Sequence, residues 1–149
     1  MKFRFRLDPV LKLRQQEAEE AYRSLARALH ASQHQEEQVD HARRRLERLL
    51  VEAQGFHDVS DPRAFQRRDA YVREARGTLQ AARHQLEQLR HREAQARAWL
   101  ATKKKAEEAL LMLREQEEVR FQRALEHADR TALDEQAVND FNRKQQSSS

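Results

Sequence analysis

Residues 11–54, LKLRQQEAEEAYRSLARALHASQHQEEQVDHARRRLERLLVEAQ, decide the fold. Every seventh residue reads Leu11, Ala18, Leu25, Ser32, Val39, Leu46 and Ala53, and the partner positions hold Ala21, Ala28, Ala42 and Leu49. Apolar residues at a mean spacing of about 3.5 over about six heptads form the seam of a left-handed coiled coil. Tyr22, Leu29 and Leu50 widen that seam on one side. Asp8-Pro9 supplies an N-cap and a first helical residue, and Gly55 a C-terminal stop, so the spacing predicts helix one over 9–54.

The segment GFHDVSDP follows, with a turn at 55–61 and Asp61-Pro62 or Ser60 as the cap of a second helix. From Phe65 the seam recurs as Val72, Leu79, Leu86, Leu100 and later Phe121, with Ala75, Ala82, Leu89, Ala96, Leu110 and Ala124 between. This predicts helix two over 62–130, a helical extension over 131–144 and a disordered tail over 145–149. Helices joined by so short a turn lie antiparallel. The fold class is therefore all-α, a long two-helix antiparallel coiled-coil hairpin forming a single domain. Ser32 and Gln35 interrupt the first seam, and Glu93, Lys103, Glu107, Arg114 and Glu117 the second; such residues weaken packing and fix register. Gly77 falls on the outward face.

Composition agrees with a narrow stripe instead of a sizeable core: 36% of residues are charged, 38% hydrophobic, and there are two glycines and two prolines. The longest apolar run, Ala109 to Leu113, is far shorter than a bilayer span, and no apolar stretch follows the basic N-terminus, so the expectation is a soluble chain without a secretory signal. The absence of cysteine is compatible with any compartment, and a reducing cytoplasm is the default. No glycine-rich phosphate loop, cysteine nucleophile or pocket-forming fold is legible, which argues against an enzyme and a cofactor. His30 and His34 have the i, i+4 spacing of a metal pair, but they, like His84 and His91, sit on outward positions with no third ligand evident, and the expectation is no metal site. Basic runs at Arg43–Arg45 and Lys103–Lys105 raise nucleic-acid binding. Yet 29 basic residues face 25 acidic ones along the same helices, so salt-laced solvated faces explain them and no nucleic acid is expected.

The two ends carry the rest. If the turn centres near Asp58, Leu11 meets the neighbourhood of Lys105, and helix two overhangs helix one. There Leu110, Leu111, Met112 and Leu113 point around nearly the whole circumference, and an all-round apolar turn wants a partner. Phe3, Phe5 and Leu7 can reach back along this stretch, with both rings on one side of the extended chain and Arg4 and Arg6 on the other. Residues 1–8 are thus read as a docking arm. Lying outside the seam, Phe3 and Phe5 should be replaceable by Ser at little cost to folding. Self-association through the seam is the alternative use of the overhang.

The opening KFRFRLDPVLKLRQQEAEEA resembles the N-terminus of the flagellar type III export protein FliJ family, in which Phe3, Phe5, Leu7, Val10, Leu11 and Arg14 match a recurring pattern. The stretch KKKAEEALLMLREQEEVRFQRALEHADRTALDEQAVNDFNRK is similar to that family's second end, with Lys103, Lys104, Leu113, Glu126, Leu133, Asp134, Glu135 and Phe141 in family-like places. The resemblance implies a non-catalytic cytoplasmic rod, similar to the axle of rotary ATP synthases. By that resemblance its terminal end enters the ring of the export ATPase FliI, and the rod promotes ring assembly, contacts the export gate protein FlhA and handles export chaperones, at the inner-membrane export apparatus. The overhang and the resemblance converge on one end, and together they give the partner-binding residues as Phe3, Arg4, Phe5, Arg6, Leu7, Leu11, Leu110, Leu111, Met112, Leu113, Phe121, Leu133, Asp134, Glu135 and Phe141. The stalk of a virulence secretion system shares the plan, and the FRFRL opening favours the flagellar family.

Overall fold

A computed structural model describes residues 1–54 and 61–148; the expected turn residues 55–60, Asp58 and Ser60 among them, lie outside the described residues. Two helices account for the chain: α1, Asp8–Gln54, and α2, Pro62–Ser147. The start of α1 falls one residue earlier than the Asp8-Pro9 pair suggests. The Asp8 amide donates to the Phe5 carbonyl at 3.1 Å and the Leu11 amide to the Leu7 carbonyl at 2.8 Å, so a turn through residues 6 and 7 feeds directly into the helix. Asp61 caps α2: its Oδ1 accepts from the Arg63 amide at 3.1 Å, and its carbonyl takes the first helical bond, from the Phe65 amide, at 3.3 Å. Pro62 sits at the first helical position, where its missing N–H costs nothing.

α2 runs through residues 130 and 131 without a break. It also continues past 144, where the sequence predicts a disordered tail. The Ser148 amide and the Ser147 hydroxyl both donate to the Lys144 carbonyl, and the Ser148 hydroxyl donates to that of Gln145, satisfying carbonyls that a helix end leaves bare.

Contacts divide the chain into two compact units, one made of Glu17–Lys103 and the other of Met1–Gln16 with Lys104–Ser149. In the first, α1 and the first half of α2 pair antiparallel. Arg45 reaches Glu74 at 3.9 Å, Glu36 reaches Arg90 at 3.2 Å, and Glu17 reaches Lys103 at 3.3 Å. Its core is small: Ala18, Ala21, Ala42, Ala75, Leu79 and Leu86 are buried, and Leu25, Val39, Leu46 and Leu49 are half-buried. Two helices cannot enclose a large side chain on all sides, so alanine fills the closest approach and leucine flanks it.

The polar interruptions are accommodated individually. Gln35 Nε2 donates to the Ala82 carbonyl of the facing helix at 3.0 Å. Lys103, half-buried, is neutralised by Glu17. Ser32 is only 3% exposed and its hydroxyl has no partner among the described residues. Within this unit three residues depart from the predicted seam: Tyr22, Ala53 and Phe65 are exposed, the last two because the seam opens toward the end of the hairpin. Gly77 faces open space, with nothing within 4 Å of where a Cβ would stand. On the outer surface Arg73 pairs with Asp69 one turn earlier; that hydrogen bond, and then the carboxylate charge, raise the Arg73 pKa above its ordinary value.

Candidate partner-docking site

Every residue that the sequence marks for partner contact lies in the unit of Met1–Gln16 and Lys104–Ser149, which builds one surface from an arm and a helix. The arm is residues 1–7. It folds back instead of projecting: Phe5 is 7% exposed and Leu11, one turn into α1, is 4% exposed. Phe3 is half-buried with its ring tilted against Phe121, centroids 5.6 Å apart, the separation of an attractive aromatic pair. Alternation along the extended arm leaves Arg4 and Arg6 exposed, while Leu7 is half-buried. Lys12 and Asp8 pair at 3.7 Å across the first turn of α1.

This placement corrects the expectation that Phe3 and Phe5 are dispensable for folding. Phe5 is core, and the arm is one side of the packing in this unit. The apolar turn at 110–113 is likewise covered on one side only. Leu110 and Leu113 are half-buried, continuing a stripe through Glu117, Phe121 and Leu125, whereas Leu111 and Met112 are exposed. Successive residues turn by about 100°, so one packed flank necessarily leaves the other bare. After Phe121 the stripe passes to Leu125, and Ala124, expected in the seam, is exposed.

Beyond Leu125 the covered stripe ends: every described residue from 126 to 148 is exposed, although helical through 147. Leu133, Asp134, Glu135 and Phe141 all stand on this bare segment. Leu133, Ala137 and Phe141 are spaced by four and share a face, flanked by Asp134. Val119 and Val138 are also exposed: Val119 lies off the seam, and Val138 falls on its seven-residue series two heptads beyond Ala124, where nothing packs against it among the described residues. Their signal was that a valine on a charged helix gains nothing from water. The two groups singled out in the sequence therefore divide: Phe3, Phe5, Leu7, Leu11, Leu110, Leu113 and Phe121 are drawn into the chain's own packing, while Arg4, Arg6, Leu111, Met112, Leu133, Asp134, Glu135 and Phe141 remain presented.

His30, His34, His84 and His91 are all exposed, the last two beside Gln88 and Gln95 at 3.3 Å. Among the described residues no helix is long and apolar enough to cross a membrane.

The model of the Flagellar FliJ protein family matches residues 2–146, and so embraces the arm, both helices and the bare segment. The chain belongs to the FliJ family. It is a helical, coiled-coil protein related to flagellar export. Comparison with curated proteins and with solved structures gave no match. In this FliJ family member the opening FRFRL takes part in packing through Phe3 and Phe5, and the end of α2 carries Leu133, Val138 and Phe141 exposed.

Proposed function

We propose that the chain is a non-catalytic cytoplasmic component of the flagellar type III export apparatus, peripherally held at the inner membrane. In this reading the exposed end of α2 docks in the ring of the export ATPase FliI, and the chain promotes ring assembly and activity and links the ring to the export gate FlhA and to export chaperones. Family membership supports the apparatus. The observation that carries the docking role is the helix from 126 to 147 with Leu133, Val138 and Phe141 in water. An isolated helix of this length is marginal, and helices gain most of their stability by burying a face, so this segment is built to be covered. Asp134 and Glu135 beside Leu133 offer charges for the rim of such a contact.

The test is a pull-down and an ATPase assay with the export ATPase of the same organism. Leu133→Glu with Phe141→Glu should abolish capture and stimulation while leaving the helical signal of the free chain unchanged. Retained capture overturns the docking role. If instead the parent chain is dimeric by light scattering and the double variant monomeric, the exposed segment serves self-association.

A further inference from the structure

The unit of Glu17–Lys103 carries a second surface, where α1 finishes and α2 begins, that the ring-docking reading leaves unused. All ten cationic side chains between residues 40 and 83 are arginine, against seven carboxylates, and the six lysines of the chain all lie elsewhere. Arg43, Arg45 and Arg73 are held by Asp40, Glu47, Glu74 and Asp69. Arg44, Arg48, Arg63 and Arg76 make no ion pair among the described residues. The same end exposes large apolar side chains: Phe65 is 70% exposed, Val51 67% and Tyr71 51%, whereas no large apolar residue from 23 to 50 or from 72 to 98 stands out in this way. Between the helices, Leu50, Ala53, Phe65 and Val72 line a groove of about 220 Å³, flanked by Arg68 and Asp69.

We propose that this end of the hairpin binds anionic phospholipid headgroups, its arginines holding phosphates while Val51 and Phe65 enter the apolar boundary beneath them. A guanidinium presents a rigid fork that matches phosphate oxygens two at a time, which a lysine cannot do. Arg44 and Arg48 lie one turn apart on α1, and Arg63 and Arg67 one turn apart on α2. The charge is thus distributed over both helices. Headgroups of a fluid anionic surface gathered round this end can reach the pair on each helix; a single acidic segment laid in the groove would meet only its rim. Exposed valine and phenylalanine beside arginine are the combination that an interfacial element uses, apolar groups sinking to the acyl boundary and cations staying at headgroup depth. This inference does not depend on ring docking, since it uses no residue of the other unit.

The experiment is flotation of the purified full-length chain with vesicles of phosphatidylcholine alone or containing about a third phosphatidylglycerol. The chain should float with the anionic vesicles, stay behind with the neutral ones, and lose binding as salt rises. Each arginine near an anionic surface is worth roughly a fivefold gain in partitioning, so replacing Arg44, Arg48, Arg63 and Arg67 together with Gln should reduce it by more than about a hundredfold. Val51→Ser with Phe65→Ser should weaken binding at every salt concentration, and Leu133→Glu with Phe141→Glu should leave it intact. Circular dichroism of each variant confirms that it is folded. Equal flotation with neutral vesicles, undiminished flotation of the four-arginine variant, or capture of the chain by polyglutamate or an oligonucleotide without vesicle binding overturns the proposal.

Discussion

Phe5 shows how much one residue's surroundings matter. In the sequence Phe3 and Phe5 are equivalent, two rings between arginines; in the structure Phe5 is buried and Phe3 rests on Phe121 at the edge. Phe5→Ser should therefore destabilise the chain by on the order of 3 kcal/mol, and Phe3→Ser by less than half of that, since removal of a buried ring costs transfer and cavity terms together. Thermal melting of the two single variants checks the order; equal midpoints would contradict the burial assigned to Phe5. Ser32 and Gln35 form a second pair of contrasting neighbours. Ser32→Ala removes a buried hydroxyl that has no partner among the described residues, and should be neutral or stabilising by up to about 1 kcal/mol. Gln35→Ala removes the bond to the Ala82 carbonyl and should cost about 1 kcal/mol. Gly77→Ala meets open space and should add up to about 1 kcal/mol through helix propensity, read as a higher urea midpoint at unchanged slope.

At the scale of the element, α2 is one helix with two kinds of support. Leu79 and Leu86 are buried, whereas Leu133 and Phe141 are not. Leu79→Ala should cost about 2 kcal/mol, the lower end of the range for a core leucine, because a two-helix seam leaves part of the site in water. Leu133→Ala should leave melting unchanged. Backbone amides of 126–147 should exchange with solvent fast despite their helical bonds, since few buried contacts oppose local opening, while those around Ala75 and Leu79 exchange slowest. Slow exchange along 126–147 in the free chain would mean that a second copy covers it. The helix boundaries were legible because their chemistry is local: Asp61-Pro62 caps and starts a helix by geometry that needs no tertiary contact. The final turn is not legible in this way, because Ser147 and Ser148 close bonds that depend on the helix having reached them.

For the whole molecule, family membership assigns the chain to flagellar export, and the distribution of exposed residues orders the tests of how it takes part. Leu110→Glu with Leu113→Glu is a poor probe of docking, since both side chains are half-buried and a carboxylate there disturbs the unit's own packing. Met112→Glu, Leu133→Glu and Phe141→Glu change presented side chains and should separate partner binding from folding. Arg4→Glu with Arg6→Glu should weaken capture of the export ATPase at low salt and little at high salt, as expected of exposed charges. A loss that persists at high salt would place these arginines in a desolvated contact.

What the sequence determined by itself was the helical hairpin and its pairing. A seam repeating from Leu11 to Leu49 and from Val72 to Leu100 can be buried only by another such seam, and the period of that pattern is a property of the residues alone. The matching opening and closing stretches likewise carried the family. Tertiary structure alone decided which apolar residues are spent inside the chain and which are offered outside it. Phe5 and Leu133 are both apolar side chains near an end of the same unit. One is covered because the arm's turn at residues 6 and 7 brings it back onto helix, and the other is bare because nothing among the described residues packs against that part of α2. Burial depends on what arrives opposite a residue, and no local pattern contains that information.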